Sequence, residues 1–119
     1  MSPNQDKFFR NFAEFTSLRE KAKEPRKNKQ YKRCIDIYRT QLELSKKAPE
    51  IGIVDFLIFK QIALAHERIG QYAEAIKPYE TAINLCHEFR RNENLANPDD
   101  FIRDIEVMNR KVELLRKKM

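Results

Sequence analysis

The sequence predicts an all-α fold of about five helices, arranged as helical hairpins with a C-terminal closing helix. Three observations predict it. Apolar residues recur at steps of three and four along almost the whole chain, the period of a helix face. The 119 residues include only 2 glycines and 5 prolines, too little turn chemistry for a many-stranded β protein. Apolar residues make up 41% and charged residues 35%, which supports one core beneath a heavily ionised surface. A chain of this length makes one domain or a short repeat array, not two ordinary domains.

The first helix is expected over 1–24. Asp6 can accept bonds from its first free amides, and Phe8, Phe12, Phe15 and Leu18 form a stripe to pack on the second helix. Pro25, lacking an N–H, should end it and leave a basic connector over 25–28. The second helix, 29–48, turns Tyr31, Cys34, Ile35, Tyr38, Leu42 and Leu44 inward, and Lys46 and Lys47 suit its negative end. Pro49 marks the break before a hairpin over 50–92. Its first helix is apolar nearly all round, from Ile51, Ile53 and Val54 to Ala65, so it should be packed on more than one side. Gly70 is a left-handed stop, and the next helix carries Ala75, Ile76, Tyr79, Ala82, Ile83, Cys86 and Phe89. Asn97-Pro98-Asp99-Asp100 reads as a capped start for the closing helix, 98–118, with Phe101, Ile105, Met108, Val112 and Leu115 on one side. Phe9 lies off the first stripe and Phe56 off its helix face, so both are expected to be exposed and to favour a homodimer through the first helix.

An internal repeat is visible. Gln30-Tyr31-x-x-Cys34-Ile35-x-x-Tyr38-x-x-x-Leu42 aligns with Gln71-Tyr72-x-x-Ala75-Ile76-x-x-Tyr79-x-x-x-Ile83 at an offset of 41 residues. Between Phe59 and Ala82 the order is Phe59-x-x-Ile62-Ala63-x-x-His66, Gly70-Gln71-Tyr72, then Ala75-x-x-x-Tyr79-x-x-Ala82. Small residues (Ala63, Ala75, Ala82) permit close helix approach, and larger ones fill the space around them. This pattern resembles the tetratricopeptide repeat, in the longer-helix variety of about 41 residues found in kinesin light chains. The resemblance implies a right-handed α-α superhelix and a closing helix over the last repeat. His66 stands where an aromatic is usual, Gln41 stands where the second repeat has Ala82, and no proline closes the repeat after Ile83.

Catalysis finds no support. There are two histidines, no glycine-rich phosphate loop and no G-x-S-x-G or H-E-x-x-H, and Asp99-Asp100 is explained by helix capping. Cys86-His87 with His66 lacks the paired spacings of a zinc site, so neither metal nor cofactor is expected. The polar N-terminus, the absence of a long apolar run and the scarcity of cysteine lead us to expect a soluble cytoplasmic protein, the nucleus left open, with no membrane partner.

Charge is uneven. Residues 19–33 hold eight basic groups against Glu20 and Glu24, net +6, and the last ten residues are net +4. Lys21, Lys23, Arg26, Lys27, Lys29 and Lys32 could grip phosphates, although a solvated connector is the simpler reading. The family resemblance implies a groove lined by the first helix of each pair, here Leu57, Lys60, Gln61, Leu64 and Arg68. Leucines would anchor a peptide, and Lys60 and Arg68 would meet acidic groups. The expected function is a non-enzymatic adaptor for a protein or peptide partner. The alternative is a nucleic-acid-associated accessory protein using 19–33 and the C-terminal tail.

Overall fold

The helical periodicity is realised in five helices: α1 (Pro3–Lys27), α2 (Tyr31–Lys47), α3 (Asp55–Arg68), α4 (Tyr72–Asn92) and α5 (Ile102–Lys117). The structure, a computed structural model, describes residues 3–47, 55–92 and 99–119, and the side chains of 10–47, 55–91 and 99–119. Among the described residues there is no strand, and no helix is long and apolar enough to cross a membrane. Expectations placed on Phe8, Phe9, Pro49, Ile51, Ile53, Val54, Asn97 and Pro98 lie outside the described side chains.

Each helix packs on the next in an up-and-down order. The body measures 52 × 37 × 19 Å, and its thin dimension fits two helix layers at roughly 10 Å each. The strong contacts run only between consecutive helices, so α1, α3 and α5 alternate with α2 and α4 along the array. The central helix α3 is packed on two sides, as its composition required. Ile58, Ile62 and Ala65 join Phe15, Ala22, Cys34, Ile35, Tyr38 and Leu44 in one buried cluster. Phe56 and Ala63 join Ala75, Tyr79, Ala82, Ile83, Cys86 and the α5 residues Ile105, Met108, Val112 and Leu115 in a second.

The first helix overturns an expectation. Pro25 does not stop it: the helix runs on to Lys27, and Pro25 is itself buried in the last turn. A proline there removes one ladder bond, the donor to the Lys21 carbonyl, and its burial in the last turn offsets the loss. Chain reversal comes at Lys29, in the left-handed region at φ 60°. Gln30 N–H donates to the Pro25 carbonyl (2.7 Å) and Lys29 N–H to that of Arg26 (3.2 Å). The turn after α3 repeats this arrangement. Gly70 sits at φ 83°, with Gln71 N–H on the His66 carbonyl (2.9 Å) and Gly70 N–H on that of Glu67 (3.0 Å). Both are Schellman closures. The basic stretch is therefore two helix ends joined by a tight turn, not a connector.

The two turns are related by the same 41-residue offset, and so are the helices on both sides of them: Phe15 and Phe56, Ala22 and Ala63, Cys34 and Ala75, Tyr38 and Tyr79 are all buried. Gln41 and Ser45 occupy the places of Ala82 and Cys86 and are buried too, at 3% and 4% exposure. Gln41 escapes the cost of burial by donating from Nε2 to the Phe15 carbonyl of α1 (3.2 Å). Ser45 lies near the Asp55 carboxyl, whose pKa burial raises and Ser45 opposes, and Asp55 Oδ1 is buried without a hydrogen-bond partner among the described residues.

Lys29 occupies a conformation that costs a side-chain-bearing residue about 1–2 kcal/mol. Lys29→Gly should therefore raise stability by about 1 kcal/mol in urea titration. Gly70→Ala should lower it by a similar amount, because open space surrounds the added Cβ and only backbone strain acts. Equal loss of stability in both variants would show that the two turns are not equivalent.

Three further expectations are corrected. Phe12 is 48% exposed, so it is not buried with Phe15 in the first cluster. Phe56 is not an exposed self-association residue: it is 7% exposed. Its ring stands edge-on to Phe89 (6.4 Å, 72°) and to Phe101 (5.4 Å, 87°). The closing helix starts at Ile102 instead of Pro98, and Asp99 and Asp100 lie in the turn before it. Phe101, at φ 71°, takes the cap position without a side-chain capping bond. That backbone carries its ring into the Phe56–Phe89 cluster, and the Arg90 guanidinium donates to the Asp100 carbonyl (2.7 Å).

Candidate interaction groove

Along α3, Leu57, Gln61, Leu64 and Arg68 recur at steps of three and four, so they share one stripe between the two buried sides of the helix. Leu57 is 43% exposed, Gln61 and Leu64 are half-buried and Arg68 is exposed. Among the sequence candidates, the fold brings Gln61, Leu64 and Arg68 into the wall of one cavity of about 220 Å³. Lys60 turns the other way. It lies with Asp104 near Cys86, whose thiol is pushed up to about 11, chiefly by burial and then by Asp104, with Lys60 opposing. Cys86 is a buried, protonated core thiol, and among the described residues no three His, Cys, Asp or Glu side chains gather as metal ligands.

The remaining cavity wall comes from the first hairpin: Arg26 near the end of α1, and Tyr31, Cys34 and Tyr38 on α2. In the sequence Arg26 stands out only as part of the basic stretch, and Tyr38 only as core. Extending the 41-residue alignment backward through the turn would have aligned α1 with α3 and brought the end of α1 beside that of α3. Reading Pro25 as a stop concealed it.

The neighbouring helix α5 meets α3 through Lys111, whose ammonium lies 2.9 Å from the Glu67 carboxylate. Val107 and Leu114, seven residues apart and so on one side of α5, are 40% and 55% exposed. With Phe12 and Leu57 they make up all the large apolar side chains exposed within the helices among the described residues. Every one belongs to α1, α3 or α5; none lies on α2 or α4.

The basic-patch residues stay near the surface. Lys21, Lys23, Arg26 and Lys27 project from the last turns of α1, Lys29 from the turn and Lys32 from the start of α2. Lys23 pairs with Glu20 at 2.9 Å. A shallow surface joins Lys29, Tyr31, Lys32 and Arg33 to Arg68 and Ile69, which places the two turns side by side. Lys118 lies 5.1 Å from the Tyr72 ring centroid, so the C-terminal end of α5 reaches the same pole. No family model, curated protein or solved structure matches the chain.

Proposed function

We propose that this protein is a non-enzymatic interaction module of tetratricopeptide-like organisation, and that it binds a peptide or helix of a protein partner along the α1–α3–α5 face. The carrying observation is that the large apolar side chains exposed within the described helices, Phe12, Leu57, Val107 and Leu114, all belong to α1, α3 or α5. Exposed apolar side chains of this kind are what a partner's apolar anchors require. The 41-residue repeat, extended by the matching Schellman turns, supports the same organisation.

The test is capture of partners by the full chain and identification of what is retained. Leu57→Glu with Leu114→Glu should cost a groove-bound partner about 2 kcal/mol or more per anchor, with the thermal transition unchanged because both side chains are exposed. Arg39→Glu, on the opposite face between α2 and α4, should leave capture intact. The reverse pattern would place the binding surface on α2 and α4.

A second reading has its own observation. Antiparallel packing gathers the 19–33 basic residues, Arg68 and the C-terminal lysines at one pole, which suits a nucleic-acid backbone. Gel-shift titration at two salt concentrations separates the readings, since phosphate binding weakens steeply with salt.

A further inference from the structure

We infer that the cavity between the first hairpin and α3 is an oxyanion pocket, which receives an acidic or phosphorylated side chain of the partner segment lying in the groove. This rests on the peptide-binding reading above and adds the chemistry of the residue that the groove selects.

The cavity, about 220 Å³, is large enough for one carboxylate or phosphoryl group and too small for a folded element. Two arginines line it, Arg26 from α1 and Arg68 from α3, and among the described residues no carboxylate pairs with either. Neighbouring cations do find partners: Lys23 has Glu20, and Lys111 has Glu67. Arg26 lies within hydrogen-bonding reach of Tyr38, and with no carboxylate on either arginine the remaining donors of both forks stay available for a ligand's oxygens. Gln61, Tyr31 and Tyr38 supply further polar groups along the same wall. The apolar parts of the wall, Leu64 and Ala65, exclude water on one side and strengthen a charge-assisted bond. The Arg26 charge is felt inside the cavity, since it opposes the effect of burial on both Cys34 and Tyr38. Leu57 lies on the same α3 stripe, so a segment with its anion in the pocket runs directly over an apolar anchor.

The probes are three small molecules: N-acetyl-glutamate methylamide, N-acetyl-O-phosphoserine methylamide and the neutral N-acetyl-glutamine methylamide. NMR titration would follow the arginine Nε–Hε resonances. Saturable shifts at Arg26 and Arg68 are expected with one or both anions and not with the neutral probe. A response to the glutamate probe alone assigns the anion to an acidic residue, and one to the phosphoserine probe alone to a phosphorylated one. Arg26→Gln and Arg68→Gln should each raise the midpoint about tenfold or more, the loss of one charged hydrogen-bonding group. Lys32→Gln, outside the cavity, should leave it unchanged. The same two arginine variants should weaken capture of the partner. Absence of saturable shifts with both anions, or shifts that survive both arginine substitutions, would overturn the pocket. So would partner capture indifferent to Arg26 and Arg68. The groove reading is judged separately by the Leu57 and Leu114 substitutions, so the pocket can fail while the groove stands.

Discussion

Tyr79→Ala is expected to destabilise the protein by about 3–5 kcal/mol, the range for deleting a large buried aromatic ring, and to broaden or abolish cooperative urea unfolding. Tyr79 is 1% exposed in the middle of α4 and packs between Ala75, Ala82 and the residues of α3. Its hydroxyl donates to Glu67 of α3 (3.4 Å), and the same carboxylate receives Lys111 of α5 (2.9 Å). One side chain therefore touches the contact on which three helices converge. Burial, and next the Glu67 charge, hold the phenol well above its ordinary range, so it stays a neutral donor. Tyr79→Phe separates the contributions: it keeps the ring, loses one hydrogen bond and should cost only about 0.5–1.5 kcal/mol. Equal losses in the two variants would mean that the Glu67 node, not the ring, holds the hairpin together.

Much of this fold was legible because it depends on local period. A helix apolar nearly all round predicted a central α3, and α3 does join both buried clusters. Gly70 predicted a turn, and the turn is there. What was not legible depends on tertiary packing overriding a local signal. Pro25 is a strong stop in an isolated chain, yet here it is buried in the last turn of α1, where it forfeits one ladder bond and leaves the closing turn at Lys29 intact. Asp99 and Asp100 carry a helix-start signature, but the start is set two residues later by where the Phe101 ring packs. Gln41 and Ser45 read as surface residues by type. Only their 41-residue spacing from Ala82 and Cys86 marks them as interior.

The candidate groove divides along the same line. Its α3 residues come from the family resemblance, and helical spacing then keeps Leu57, Gln61, Leu64 and Arg68 on one stripe and sets Lys60 apart. Its other wall needs a contact between distant parts of the chain, which no period encodes. Arg26 and Arg68 are 42 positions apart and meet one cavity only because α1 continues past Pro25 and packs on α2. The exposed apolar residues show the same limit. Phe12 and Leu57 differ little in type from Phe15 and Phe56, and which of each pair is covered depends on the neighbouring helix.

Phe56→Ala should lower stability by about 3–5 kcal/mol, an effect as large as that of Tyr79→Ala but from the opposite end of the second hairpin. The Phe56 ring is the only one of its three-ring cluster that α3 supplies. Phe89 comes from the end of α4, and Phe101 from the residue that caps α5. Edge-to-face contacts of this kind add roughly 0.5–1.5 kcal/mol per pair beyond area burial. Removing the central ring also takes away the reason for Phe101 to hold a left-handed backbone. The loss should therefore spread to α5, seen as faster amide exchange over the first turn of that helix than over its last. Leu114→Ala is the control. At 55% exposure it should change stability by no more than about 0.5 kcal/mol, as surface substitutions usually do. A small effect of Phe56→Ala, or one confined to α3, would show that α5 docks through Met108, Val112 and Leu115 alone and that its cap forms independently of the aromatic cluster.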